Sequence, residues 1–485
     1  MKKKVTHLLA CLIPGVMVSI FPAPDGLSVE AWIFFGIFAS VVIGLILEPI
    51  PPALIGFIGI VIAVILKVGP VGSGSAKITP AAAINWGLSG FSNSTVWLIF
   101  AAFIIGAGYR NTGLGKRIAL FLVKKMGKST IGLGYAISIA DGILAPFIPS
   151  NAARSGGTLY PIISSIPPMF DSYPEKDARK IGGFLVWCSL SATCVSSSIF
   201  LTGQAPNPLA LQVAKEAGVD IVSWGGWFLA FLPVSIILFI ITPLMTYIVY
   251  PPEIKSSPTV VEWAKKEYDL LGDINSKEIY LIIISLFALT FWVGGGFFRI
   301  NATTTALIVI SLMISSQVIT WDDFLSNKAA WNVLVWFSTL VTLAAGLKNV
   351  GFLEWIASWA NIFIANYSAM YATITLIVIY YFIHYFFAST TAHVTALLAL
   401  FITIANSIPG MDVRLVTLLM LLPMGLMGVL TPYGTGHSPV WFASGYVKGS
   451  DFWKLGAIFG VVYLLIYLLV GVPFVKYVAY EYIFN

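Results

Sequence analysis

Pro149-Ser150-Asn151-Ala152-Ala153-Arg154 and Ala388-Ser389-Thr390-Thr391-Ala392-His393 are two short polar tips in otherwise apolar sequence. Each carries a basic side chain four residues after its serine, and the serines lie 239 residues apart. Small residues let backbone groups approach a ligand closely. A tip that recurs in two halves of one chain suggests a paired binding site. The basic residue in each copy suggests that the ligand is an anion.

Apolar arms flank both tips, over residues 131–165 and 371–405. Each region reads as a re-entrant hairpin that enters and leaves on one side. Irregular backbone at membrane depth survives only where protein or water surrounds it. The rest of the chain fits that setting. Of its 485 residues 58% are apolar and 10% charged, against about 25% charged in a soluble domain. Mean hydropathy is +0.91. Apolar runs long enough to cross about 30 Å of hydrocarbon follow one another. Alternating ten-residue strands of a membrane β-barrel are absent. The fold class is therefore an all-α polytopic membrane protein. Crossings are predicted near 7–22, 31–48, 53–67, 95–108, 181–202, 226–249, 279–296, 303–319, 333–347, 413–430 and 455–475, about eleven in all.

The net charge of +6 sits in loops, which is a topology signal and not a nucleic-acid one. Lys2, Lys3 and Lys4 precede the first apolar run, and Arg110, Lys116, Arg117, Lys124, Lys125 and Lys128 cluster later. A cytoplasmic N-terminus puts that cluster, the 171–180 loop and the polar stretch 250–278 all inside. Eleven crossings then place Asn485 outside. Pro22-Ala23-Pro24 is a poor cleavage site, so the first run reads as a retained helix. The three cysteines, Cys11, Cys188 and Cys194, show no metal spacing and read as apolar fillers.

Tyr109-Arg-Asn-Thr-Gly-Leu-Gly-Lys-Arg-Ile-Ala119 aligns with Leu347-Lys-Asn-Val-Gly-Phe-Leu-Glu-Trp-Ile-Ala357, pairing Gly108 with Gly346, Asn111 with Asn349 and Gly113 with Gly351. About five crossings separate the two copies, and an odd number inverts the second. Inverted repeats with broken helices and a midplane site mark secondary transporters. Each half also has a later break, Thr202-Gly-Gln-Ala-Pro-Asn-Pro208 and Thr431-Pro-Tyr-Gly-Thr-Gly-His-Ser-Pro439. Prolines there free carbonyls of the preceding turn.

These features give the candidate substrate site: Ser150, Asn151, Arg154, Thr202, Asn207, Ser389, Thr390, Thr391, His393, Thr431, Thr435 and His437. Arg154 offers a planar fork suited to a carboxylate. Glu48 and Asp141 read as structural charges, and His7 and His384 as interface or core residues. No zinc-protease, P-loop or nucleophile-elbow motif occurs, so neither an enzyme nor a metal or other cofactor is expected. A channel is a further alternative, distinguished by flux that does not saturate.

The tips, the repeat and the breaks resemble the divalent anion:sodium symporter family over nearly the whole chain. Ile46-Leu47-Glu48-Pro49-Ile50-Pro51, Gly113-Leu-Gly-Lys-Arg-Ile-Ala119, Leu430-Thr431-Pro432-Tyr433 and Leu455-Gly-Ala-Ile-Phe-Gly460 are similar to its citrate/succinate, tartrate/succinate and 2-oxoglutarate/malate exchanger branch. The resemblance implies an elevator transporter in the cytoplasmic membrane, built as a homodimer and binding di- or tricarboxylates such as citrate, tartrate, succinate, malate or 2-oxoglutarate. It implies mainly scaffold helices over 1–108 and 251–347, the latter including a cytoplasmic linker. Transport elements follow over 109–250 (tip 149–158, break 202–208) and 348–485 (tip 388–393, break 431–439). Family members carry a Ser-Asn-Thr motif at each tip, with sodium sites built around it. Here Ala152 replaces the first Thr and Thr390 the second Asn. The reading that follows is that Arg154 and His393 stand where symporters place sodium. A tethered cation cannot leave with the cargo. An empty carrier would drag the uncompensated charge of Arg154 past hydrocarbon at high cost, and only a bound anion cancels it, which predicts obligate, sodium-independent exchange. The alternative is a sodium-coupled symporter of the same fold.

Overall fold

A computed structural model describes residues 2–73, 78–220, 222–356, 358 and 368–484. Ala357 of the second repeat copy and Asn485 lie outside them. Among the described residues the chain is helical, with one isolated bridge, Ser129 to Ser256, and no strand.

The first half runs α1 (Lys2–Ile20), α2 (Val29–Leu47), α3 (Pro52–Leu66), α4 (Pro80–Gly87), α5 (Ser94–Thr112) and α6 (Leu114–Met126). It continues through α7 (Thr130–Leu144), a wide turn over Ala152–Leu159, α8 (Tyr160–Ile163), α9 (Gly182–Ile199), α10 (Pro206–Glu216) and α11 (Trp224–Val249). After the linker helix α12 (Pro258–Leu270) the pattern repeats. The second half has α13 (Ser276–Val293), α14 (Ala302–Ser315), α15 (Lys328–Asn349), α16 (Ala369–Phe382), α17 (Thr390–Asn406), α18 (Val413–Leu421), α19 (Ser438–Ala443) and α20 (Gly449–Ile466). Helical turns continue from α20 to Phe484.

Short polar residues start these helices by accepting the orphan N–H groups of the first turn. Ser28 does so for α2, Asn93 for α5, Ser129 for α7, Ser223 for α11, Asn327 for α15 and Asp412 for α18. The two aligned glycines serve the opposite end. Gly113 and Gly351 both take left-handed φ, +79° and +76°, one directly after α5 and the other one residue beyond α15. The halves are interlaced, because α5 packs on α14 while α15 packs on α3, and α5 and α15 meet.

Among the described residues seven helical runs are long and apolar enough to cross a membrane. One of them, Ala369–Phe386, is the first arm of the second hairpin, so length alone does not decide topology. Apolar side chains remain exposed in helical stripes, such as Ile58, Val61, Ile62 and Ile65 on α3 and Ile236, Ile240, Leu244 and Ile248 on α11. A soluble monomer rarely exposes such area, whereas lipid covers it without cost. By contrast α9 is buried along its whole length and forms the central post of the fold.

Three boundaries differ from the sequence reading. Regular helix before the second break ends at Leu421, not 430, and gives way to tight turns over Leu422–Met424 and Leu426–Val429. Pro423 removes a donor there. The first break spans 200–205, and Asn207 and Pro208 already belong to the first turn of α10. The first hairpin turns over residues 145–150, so Arg154 lies in the wide turn of the returning arm.

Candidate functional site

Both breaks are stitched to the hairpin tips. In the first half, Ala205 N–H donates to the Pro149 carbonyl at 3.0 Å and Thr202 Oγ1 donates to the Pro146 carbonyl at 2.7 Å. Arg154 completes the joint. Its Nε lies 3.2 Å from Asp141 Oδ1. Its Nη1 donates to the carbonyls of Ile148 and Gly203, each at 2.7 Å. Its Nη2 donates to Ser196 Oγ at 3.1 Å and Ser197 Oγ at 3.2 Å. Ser196 in turn donates to Asp141 Oδ2. All five guanidinium N–H groups are thus used, and both members of the pair are buried.

That arrangement corrects one expectation. Asp141, read as a structural charge, is the counter-ion of Arg154, so the guanidinium is not the uncompensated charge expected from sequence, and the cost of empty return no longer argues for obligate exchange. The pair faces each other across the hairpin, 13 residues apart in sequence. What the guanidinium fills is a cage of five oxygens: one carboxylate, two carbonyls and two hydroxyls. Such donor sets suit a hard cation.

A relay runs from this cage into the second half. Ser197 Oγ donates to Asn151 Oδ1 at 3.0 Å, and Asn151 Nδ2 donates to Thr435 Oγ1 at 3.3 Å. Thr435 Oγ1 lies 3.5 Å from His437 Nδ1, and His437 Nε2 donates to the Leu190 carbonyl at 3.2 Å. Trp441 Nε1 also donates to Ser155 Oγ at 2.8 Å, tying α19 to the returning arm of the first hairpin.

At the second tip, Ser389 Oγ accepts from Ala392 N–H and caps α17. His384 Nε2 donates to the Gly434 carbonyl at 2.9 Å, and its Nδ1 lies 3.1 Å from Nδ1 of His393. His393 Nε2, Thr390 Oγ1 and Thr431 Oγ1 are buried without a hydrogen-bond partner among the described residues. Ala152, Ala388 and Gly436 around the tips are exposed, and Ser150 and Ser389 are half-buried.

Four of the expected site residues therefore serve the fold. Thr202 donates to Pro146 and accepts from Trp224 Nε1. Asn207 Nδ2 donates to the carbonyls of Ser197 and Phe200, while its Oδ1 accepts from Gln204 Nε2. His437 is held between Leu190 and Thr435. Each has its polar atoms engaged, so each braces a break and presents nothing free to a ligand. Arg154, expected to bind the carboxylate, likewise spends all five N–H groups on its cage. Ser150, Asn151, Ser389, Thr390, Thr391, His393, Thr431 and Thr435 remain gathered at the two tips and the second break.

A family model described as the sodium:sulfate symporter transmembrane region matches residues 2–480. The chain belongs to the sodium:sulfate symporter family. Among its relatives in this family is a citrate/succinate antiporter of Escherichia coli K12, 45% identical over 479 residues, covering 97% of this chain and 98% of that one. An L-tartrate/succinate antiporter of Shigella flexneri is 42% identical over 469 residues, covering 96% of each. The fold is also similar to two solved transporters at low identity. The Alcanivorax borkumensis YdaH transporter gives a TM-score of 0.57 at 13% identity, over 87% of this chain and 98% of that one. Neisseria gonorrhoeae MtrF, described as an antimetabolite efflux pump, gives 0.55 at 12%, over 87% and 94%. The chain is a multi-pass membrane transporter and not an enzyme.

For this symporter-family chain, the sequence reading left Ser196, Ser197 and Gln204 beside the first tip out of the candidate site, and it placed His384, which is buried beside the second tip, among interface or core residues. The serine run at the end of α9 was a visible signal, since three small polar residues just before a break can supply oxygens to it. His384 gave none, because only the folded hairpin brings it to His393.

Proposed function

We propose that this chain is a secondary antiporter that exchanges di- or tricarboxylates across the cytoplasmic membrane without sodium. The observation that carries the reading is the guanidinium of Arg154 filling an all-oxygen cage at the first tip. A side chain cannot depart with the cargo as a free cation can. Because Asp141 balances it, the pair adds no net charge to a carrier in either state, so the cage supports sodium independence, and exchange is argued from the relatives, which are named antiporters. Swapping one dianion for another then moves no charge against the membrane potential, which otherwise costs about 2.3 kcal/mol per charge per 100 mV. The relatives' substrates, citrate, tartrate and succinate, set the chemical class. Malate and 2-oxoglutarate are of the same class.

The substrate's carboxylates meet the two tips, where Ser150, Asn151, Ser389, Thr390, Thr391, Thr431, Thr435 and His393 supply hydrogen bonds. The hairpins and broken helices move together as an elevator against α2–α5 and α13–α15, in a homodimer. The N-terminus is cytoplasmic and the C-terminus outside. Support comes from the basic loops lying on one face. The Ser257 N–H donates to the Lys128 carbonyl, and the Glu253 and Ile254 N–H groups donate to Arg179 and Lys180.

The test is uptake of labelled citrate into proteoliposomes. The expected result is uptake only into vesicles preloaded with a dicarboxylate, at the same rate in sodium and choline media. Sodium-stimulated uptake into empty vesicles would establish the symporter instead.

A further inference from the structure

From the His384–His393 pair we infer that the second tip binds one proton together with each carboxylate. This rests on the proposed carboxylate site and adds its protonation chemistry. The Gly434 carbonyl can only accept, so His384 Nε2 carries a hydrogen. In the neutral pair, His384 Nδ1 is then a bare acceptor, and His393 Nδ1 must donate to it across 3.1 Å. That leaves His393 Nε2 as a lone pair, buried and without a partner among the described residues. A carboxylate oxygen cannot sit against it, since two lone pairs repel.

One added proton reverses this. If it resides on His393, Nδ1 still donates to His384 and Nε2 gains an N–H. If it resides on His384, that ring's Nδ1 donates to His393 Nδ1, and His393 must hold its hydrogen on Nε2. Both forms present the same donor at Nε2. A second proton is excluded, because it would set two N–H groups against each other along the 3.1 Å contact. The pair is therefore a one-proton unit whose outward face changes from acceptor to donor. With the orphaned hydroxyls of Thr390 and Thr431 it makes a set of unpaired polar atoms that suits a carboxylate only in the charged form. The proton comes from solvent as the anion binds and returns when it leaves, so both legs of a dianion exchange carry it alike.

The surroundings leave the pair to titrate as a unit. Around it stand Tyr380 of α16, with its ring 4.3 Å from His393, Phe387, Phe401 of α17, and Thr431 beside Gly434. The hydrogen bonds and ring contacts of the two imidazoles involve no carboxylate or cationic side chain. On the helices packed against α17 the charges sit at helix ends: Glu30 of α2, Lys215 and Glu216 of α10, Lys328 and Lys348 of α15, and Arg414 of α18.

Isothermal titration of the purified full-length protein with succinate tests this, run at a pH where succinate is fully ionised and in buffers of different ionisation enthalpy. The expected result is uptake of about one proton per succinate, with Kd rising about tenfold per pH unit once the free pair has lost its proton. His393→Gln, which keeps a permanent N–H donor, is expected to bind without proton uptake and with the pH slope removed. His384→Gln, a positioning change, is expected to retain binding and shift the pH midpoint. Binding by the unaltered protein with no proton uptake overturns the inference while leaving the carboxylate site intact. Absence of binding overturns both. If the variants fail to fold, the proton count of the unaltered protein still decides.

Discussion

Arg154 shows how much one side chain carries here. A buried charge left without its partner costs about 3–5 kcal/mol, so Arg154→Ala strands Asp141 at the bottom of an emptied cage. The same change leaves one carboxylate, two carbonyls and two hydroxyls around a space of net negative charge. A sodium ion suits that donor set. The expected outcome is a variant that melts well below the parent in choline medium and recovers much of that loss in sodium, through ligand-linked stabilisation. The parent should show no such difference. A thermal melt in the two media measures it. An Arg154→Ala protein that melts alike in both and exchanges at the parental rate would remove the tethered-cation reading.

At the scale of elements, the repeat makes a sharper demand. Gly113 and Gly351 end α5 and α15 with left-handed backbone, and a Cβ added at either meets nothing within 4 Å. Their substitution by alanine therefore isolates backbone strain, about 1–2 kcal/mol each. The two variants should lower the melting temperature by similar amounts and add independently in the double variant, and a large inequality would show that the halves are not equivalent there. These glycines, the hairpin arms and the prolines of the breaks were legible because local chemistry dictates them. Turns need left-handed φ, and a tip needs small residues. The direction in which a polar side chain points was not legible. Thr202, Asn207 and His437 have the composition of ligand-binding residues, yet a broken helix frees carbonyls and donors of its own, and these residues satisfy them first. The Asp141–Arg154 pair escaped for a related reason. The wide turn over 152–159 rotates Arg154 back between the arms, and hydropathy carries no record of that rotation.

At the scale of the whole molecule, the decisive question is whether the two groups of elements slide. The proposed moving body, the hairpins with α9–α10 and α18–α19, touches the proposed scaffold along α10, which packs on α5 and α15. Among the described residues one polar contact bridges that boundary, Thr95 Oγ1 on α5 donating to Gln212 Oε1 on α10 at 3.2 Å. A helix that travels with the cargo must break this contact on every cycle, whereas one that merely lines a fixed pathway can keep it. Thr95→Cys with Gln212→Cys, in a Cys11→Ser background so that Cys188 and Cys194 remain as buried thiols, places a removable tether across the boundary. A short bifunctional thiol reagent is expected to abolish carboxylate exchange in the double variant, to leave either single variant active, and to release activity when the reagent is cleaved. Succinate binding in detergent should survive cross-linking, because neither residue belongs to the tips, and that separates arrest of motion from damage to the site. Exchange at an undiminished rate with the tether shown to be complete would mean that α5 and α10 do not move apart, and an elevator on this boundary would be untenable.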